Sequence, residues 1–199
     1  HTGLSTSEEN NHLGETFILE PSAERAMRTE KRGSITRFGW QSLAAGLAAV
    51  WAKENTREAI FDAMRRREVY ATTGTRLQVR LFGGWDFGQR DLSGDWVKQG
   101  YARGVPMGGD LRPATSKAPS FIISALKDAA GANLDRIQIV KGWIDSAGKM
   151  QERVFDVAWS GNRKLGKGGK LPPVGNSVKG ATYTNTIGAP VLSAYWRDP

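Results

Sequence analysis

The sequence predicts an α+β protein that is mainly β, in which a small N-terminal α/β part precedes an antiparallel β-sandwich. Two observations carry this prediction. A run of small apolar residues at 46–52 is followed directly by an amphipathic helix pattern at 56–67. Beyond Gly74, apolar side chains recur at every second position in short segments divided by turn residues. We therefore expect one domain over residues 1–74 and a β-sandwich domain over residues 75–199.

The composition is that of a folded protein. Of the 199 residues 39% are hydrophobic, and seven Trp and seven Phe provide large side chains for a core. No apolar run approaches the roughly 20 residues that a transmembrane helix needs, so we expect no membrane span. The absence of cysteine excludes disulfides, thiolate zinc sites and a cysteine nucleophile, but it leaves the cellular compartment open.

The net charge of +8 raises the question of nucleic-acid binding. The basic residues lie at 25–32, at 65–67 and at 164–170. Acidic residues interrupt the first group, and the second group lies at a helix C-terminus, where cations offset the helix dipole. We therefore interpret the charge as solvated surface and expect no nucleic-acid partner.

The N-terminal third combines an arm with a helix. Residues 1–40 are polar and read as irregular, apart from a short helix at 21–27 that Ser22 and Glu24 would start. The run at 46–52 fits either a buried strand or a tight helix. Thr56 suits the N-cap of the next helix, whose apolar stripe ends near Arg67, and residues 69–73 read as extended.

Five segments have the alternation of half-buried strands. In the first, Leu77, Val79 and Leu81 form the apolar side. The turn residues at 145–148 predict a hairpin between two of the others. The five segments cover residues 77–82, 120–126, 136–144, 153–159 and 191–196.

No short motif identifies a reaction. A nucleophile elbow, a Walker loop, a dinucleotide fingerprint and an HExxH helix are all absent, and the carboxylates form no recognisable acid/base pair. The Gly-Lys segment at 164–170 reads as a surface loop rather than an anion site. Tryptophans are expected in the core, with a sugar-stacking platform as the alternative; these are Trp85, Trp96, Trp143, Trp159 and Trp196.

Long stretches of the chain resemble the C-terminal part of the bacterial domain-of-unknown-function 3604 family. They include HTGLSTSEENN at 1–11, GLAAVWAKENTREAIFDAMRRREVYATTG at 46–74, RLFGGWDF at 80–87, GVPMGGDL at 104–111 and GANLDRIQIVKGW at 131–143. The resemblance continues through DVAWSGNR at 156–163 to the last residues. It therefore covers nearly the whole chain.

The resemblance implies a longer protein whose N-terminal part is similar to a polymerase-and-histidinol-phosphatase (PHP) barrel. Such barrels bind divalent metals, here Zn, Mn or Fe, and His1 would be one ligand in the full-length protein. Residues 1–74 would then be the end of the barrel. The missing barrel domain is the expected partner of this chain. An oligomer is possible, and so is a periplasmic or secreted location. We expect this chain by itself to bind no metal.

Two functions follow as hypotheses. The first is a metal-dependent phosphoesterase-like hydrolase, in which metal ions activate a water molecule and Glu54, Arg57 or Arg76 orient the substrate. The chain by itself is expected to be inactive. The alternative is a non-catalytic β-sandwich module that binds a glycan, a polymer or a protein, or that buttresses the barrel.

Overall fold

The computed structural model describes residues 24, 29–38, 46–113, 117–167, 171–172 and 185–199. The chain divides into two units, one of residues 1–49 with 71–75 and one of residues 50–70 with 76–199. The domain division expected after residue 74 stays a prediction. No helix in the described ranges is long and apolar enough to cross a membrane.

The first unit contains a β-hairpin of strands β1 (Thr29–Arg32) and β2 (Ile35–Phe38). Its two-residue turn begins at Gly33, whose φ of 63° lies in the left-handed region that favours glycine. The prediction of an irregular arm is therefore wrong at residues 29–38. The rest of the arm, including His1, lies outside the described residues. Of the helix predicted at 21–27 the structure describes Glu24 alone, and this residue is helical.

Strand β3 (Ala48–Val50) pairs with strand β4 (Val69–Ala71) in a two-stranded sheet. This settles the open alternative for the small-apolar run, which forms a strand. Just beyond β4, the buried Thr72 donates its N–H to the Leu47 carbonyl at 2.9 Å and accepts the Leu47 N–H through Oγ1 at 3.3 Å. Its polar groups are thus paired despite their burial.

Helix α1 (Arg57–Arg65) confirms the helix predicted at 56–67. The Thr56 Oγ1 accepts the Ala59 N–H at 3.3 Å, as expected of an N-cap. At the other end Arg67 has a φ of 62°, and the N–H groups of Arg67 and Glu68 donate to Met64 and Ala63. This is a Schellman motif with arginine at the position that glycine usually takes.

The second unit is built on a four-stranded antiparallel sheet in the order β10-β7-β5-β6. The strands are β5 (Gln78–Gly84), β6 (Gly104–Pro106), β7 (Ser120–Leu126) and β10 (Val191–Arg197). On one face Phe82, Ile122 and Tyr195 are neighbours across three strands. Helix α2 (Trp96–Arg103) covers them, since the Phe82 ring lies 5.7 Å from Trp96 and 5.0 Å from Tyr101.

A second antiparallel pair, β8 (Arg136–Ile144) and β9 (Met150–Trp159), packs on the opposite face. The Trp196 ring lies 5.5 Å from Phe121 of the sheet and 5.2 Å from Phe155 of the hairpin. Lys141 Nζ is 2.5 Å from Asp198 Oδ1 at the same interface. The hairpin and the sheet therefore form the two layers of a sandwich-like arrangement.

The predicted fold class, mainly β with antiparallel sheets, is confirmed. Strands β7 and β8 coincide with their predicted ranges, and the turn at 145–148 is the predicted hairpin connection, with Gly148 donating to Asp145. Helix α2 was not predicted. The relation of the N-terminal part to a barrel stays a prediction.

Strand β5 lies where the alternating segment 77–82 was predicted. The side formed by residues 78, 80 and 82 does not face open solvent, because Phe82 has no exposed surface and lies under α2. Val79 and Leu81 on the other side of β5 are half-buried. Both faces of β5 are therefore covered in part, and Arg80 lies beneath protein rather than in open solvent.

The close approach of α2 to β5 generates a stability prediction. A Cβ at Gly100 would overlap the Phe82 ring, so Gly100→Ala should destabilise the protein by about 1–3 kcal/mol despite the higher helix propensity of alanine. Urea unfolding followed by circular dichroism measures the difference. The matched control is Gly142→Ala, because the nearest atom to a Cβ there is Gln151 O at 3.9 Å. Equal stability of the two variants would contradict the predicted packing.

Candidate functional site

The second unit contains a recess that we call the Arg80 cleft. It has a volume of about 590 Å³. Cationic, acidic and aromatic side chains meet there from the segment after β3, from the turn that follows α1, and from β5 and α2. The lining residues are Trp51, Ala52, Lys53, Arg66, Glu68, Arg80, Tyr101 and Pro106.

The local backbone places each of the central side chains. The Schellman turn at the end of α1 directs Glu68 inwards, so that its side chain is only 5% exposed. The alternation of β5 puts Arg80 on the same face as Phe82, beneath α2. Tyr101 reaches the cleft from α2, one residue after the close contact at Gly100.

Hydrogen bonds link these side chains into a chain. Glu68 Oε1 accepts from Arg66 Nε at 2.9 Å, and Glu68 Oε2 accepts from the Tyr101 hydroxyl at 2.6 Å. The Tyr101 oxygen in turn accepts from Arg80 Nη2 at 2.9 Å. A buried carboxylate with partners on both oxygens is stable only as long as those partners stay in place.

Aromatic rings hold the guanidinium of Arg80 from another side. Its Cζ lies 4.1 Å from the centroid of the Trp51 ring, within the range of a cation–π interaction. Trp51 is itself fixed, because its Nε1 donates to the Val79 carbonyl at 3.0 Å and its ring lies 6.1 Å from that of Tyr70. Arg80 is therefore held in one position before any ligand arrives.

The electrostatic balance of the Arg80 cleft is positive. Among the described residues that line it, Lys53, Arg66 and Arg80 contribute three cations and Glu68 one carboxylate. Burial raises the pKa of the Tyr101 phenol, and its hydrogen bond to Glu68 raises the pKa further. The hydrogen bond to Glu68 also raises the pKa of the Arg66 guanidinium. At neutral pH the cleft thus offers positive charge and a protonated phenol, an environment that favours an anion.

A smaller recess of about 130 Å³ lies beside the cleft, and we call it the Gln78 recess. It shares Trp51 and Arg80 with the cleft. Its other lining residues are Gln78, Trp96, Val97, Ser124 and Leu126. The recess combines two tryptophans with an amide and a hydroxyl.

A family model for "Protein of unknown function (DUF3604)" matches residues 1–199. The chain belongs to the DUF3604 family. No curated protein and no solved structure matches it. The predicted family is thus confirmed, whereas the relation to PHP barrels and the bacterial origin stay predictions.

The metal implied by the resemblance has no site in the described part of this DUF3604 chain. Those residues contain no group of three or more His, Cys, Asp or Glu side chains that could hold a metal ion. His1, the predicted ligand, lies outside the described residues. No chemical step through a metal ion can therefore be built from the residues described.

The predicted substrate-orienting residues are not among those that line the Arg80 cleft. Glu54 is exposed before α1, and Arg57 lines a separate recess of about 750 Å³ along the exposed side of α1 with Ile60, Phe61 and Met64. Arg76 is exposed, and its backbone N–H lies 2.6 Å from Asp128 Oδ2. Their role in substrate binding stays a prediction.

The tryptophans predicted for the core are only partly buried. Trp85, Trp96 and Trp159 are all intermediate in exposure, and Trp143 is 39% exposed. The indole N–H groups of Trp85 and Trp159 donate to the carbonyls of Arg112 and Arg163. Because Trp85, Trp96 and Trp159 keep part of their surface exposed, the alternative of a sugar-stacking platform stays open.

Sequence reasoning missed the Arg80 cleft because its parts are far apart in the chain. Glu68 and Tyr101 are 33 residues apart, and no spacing rule connects them. One signal was present, since Phe82 interrupts an otherwise polar side of β5. A large aromatic residue there indicates that something covers this face, and Arg80 with it.

The pKa of Tyr101 gives a testable pH dependence. The pKa of Tyr101 is higher in the folded chain than its ordinary value, which applies to the unfolded chain. The stability that this difference contributes is therefore fully present at a pH below the ordinary pKa. It is lost as the pH rises through the pKa of the folded chain. Tyr101→Phe should therefore lose less stability than the parent chain between about pH 9 and pH 11. Urea midpoints across this range measure the effect. If the two proteins lose stability in parallel, Tyr101 does not carry the predicted coupling.

Proposed function

We propose that this chain is part of a metal-dependent phosphoesterase-like hydrolase and that the Arg80 cleft binds the anionic group of the substrate. The observation that carries the proposal is the excess of positive charge around a preformed recess. Arg80 is held by an aromatic ring and a phenol rather than by a carboxylate, so its charge is available to a ligand. The reaction class comes from the PHP-like barrel that the family resemblance implies for the longer protein.

The chemistry of the three cations suits a phosphoryl group. A guanidinium presents its N–H groups in a planar fork that matches two phosphate oxygens, whereas the Lys53 ammonium acts as a point charge. Tyr101 already uses one N–H of Arg80, on Nη2, and the remaining N–H groups are those that would donate to the substrate. In this proposal His1 and residues outside the chain bind the metal ions, and Glu54, Arg57 and Arg76 help to orient the substrate.

A second candidate function is a non-catalytic module that binds a glycan, a polymer or a protein or buttresses the barrel. The outer side of the β8–β9 hairpin favours it. Val140 faces Val154 across the hairpin, and Ile144 faces Met150. Their exposures lie between 51% and 88%, which leaves an apolar strip uncovered within the described part of the chain.

Phosphoesterase assays of the full-length protein and of the 199-residue chain test the first proposal. With added manganese or zinc, we expect turnover of p-nitrophenyl phosphate or of bis-p-nitrophenyl phosphate by the full-length protein only. Arg80→Gln should lower kcat/KM by about 10- to 100-fold, since it removes a charged hydrogen-bond donor from the substrate. Arg90→Gln is the control, because Arg90 is an exposed cation of the 3₁₀ turn Gln89–Leu92 that lines neither recess.

Three results would contradict this proposal. A full-length protein that binds metal but hydrolyses neither ester would refute the reaction class. Equal losses in the Arg80 and Arg90 variants would show that the cleft does not hold the substrate. Turnover by the 199-residue chain that is lost in His1→Ala would show that the metal site is complete within this chain.

A further inference from the structure

The Arg80 cleft and the Gln78 recess meet at the same two side chains. Trp51 and Arg80 line both, so the two recesses are adjacent and lie on either side of this stacked pair. The two recesses differ in chemistry, because the cleft is cationic and the recess is lined by neutral side chains apart from Arg80. A single ligand that filled both would need an anionic end and a polar, uncharged end.

The walls of the Gln78 recess are those that suit a hydroxylated ring. The exposed Gln78 side chain offers an amide donor and an acceptor. The Ser124 Oγ accepts from Ser193 at 2.9 Å, and its own O–H proton is not used in that bond. Trp96, Val97 and Leu126 provide apolar surface for the C–H groups of such a ring.

The volume limits the size of this group. About 130 Å³ is the room of roughly four water molecules, which suits one ring lying partly in the recess rather than an extended chain. The face of the Trp51 ring that the Arg80 guanidinium covers, at 4.1 Å, is not open to such a ring.

We propose that the two recesses form one site for a monosaccharide that carries a phosphate group. The phosphate would contact Arg80, Arg66 and Lys53, and the sugar hydroxyls would bond to Gln78 and Ser124. This inference rests on the proposed function in assigning the phosphoryl group to the Arg80 cleft. It adds the substrate class, a sugar phosphate.

Binding to the 199-residue chain tests the inference without any catalysis. Titration calorimetry with inorganic phosphate, methyl phosphate, glucose and three sugar phosphates gives the affinities. The sugar phosphates are glucose 6-phosphate, mannose 6-phosphate and glucose 1-phosphate. We expect at least one of them to bind about tenfold or more tightly than methyl phosphate, since the ring adds two or more hydrogen bonds. Glucose 6-sulfate in parallel shows whether the site prefers phosphate or sulfate.

The variants separate the two ends of the site. Arg80→Gln should weaken methyl phosphate and the best sugar phosphate alike, by about 10- to 100-fold. Gln78→Ala and Ser124→Ala should each reduce the advantage of the sugar phosphate over methyl phosphate by about three- to tenfold. Arg90→Gln is the charge control, and thermal melting shows that each variant is folded. Gln78 is exposed, so its truncation leaves the core intact.

The outcomes also distinguish this inference from the proposed function. If no sugar phosphate binds more tightly than methyl phosphate, or if Gln78→Ala and Ser124→Ala leave the advantage intact, the sugar site is refuted while the anion cleft stands. If a longer phosphorylated glycan alone binds, the ligand is a polymer and the inference fails. If the sugar phosphate binds as expected but the full-length protein hydrolyses no phosphoester, the site stands and the hydrolase proposal falls.

Discussion

The buried carboxylate of Glu68 is the constraint on which the arrangement of the second unit depends. Its two oxygens accept hydrogen bonds from Arg66 at the end of α1 and from Tyr101 of α2. Through Tyr101 the same network reaches Arg80 of β5. A carboxylate that has lost most of its contact with water requires these donors, so the positions of two helices and one strand are coupled to a single side chain.

Close packing supplies the complementary constraint. Tyr101 can reach Glu68 only because α2 lies almost in contact with β5, and Gly100 permits that approach over the Phe82 ring. The polar network and the aromatic core are therefore consequences of the same geometry. An added methyl group at Gly100 would separate the helix from the sheet, and the hydrogen bonds of Tyr101 would lengthen with it.

The elements that sequence reasoning found are those whose signals are local. The alternation in β7 and β8 spans whole strands, and Thr56 marks the start of α1 with its own side-chain hydrogen bond. Helix α2 escaped prediction because Gly100 lowers helix propensity in its middle, and tertiary packing outweighs that preference. The Arg80 cleft escaped because its residues meet only through the fold.

The way in which Arg80 is held decides what the cleft can do. Had Glu68 paired with Arg80 directly, an arriving anion would have had to displace a buried carboxylate, at the cost of leaving that charge unpaired. Glu68 instead uses its oxygens on Arg66 and on the Tyr101 phenol. Arg80 lies over the Trp51 ring and donates to the Tyr101 oxygen, and these neutral partners orient the guanidinium without cancelling its charge. Such preorganisation lowers the cost of binding, because the side chain that must meet the anion is already ordered.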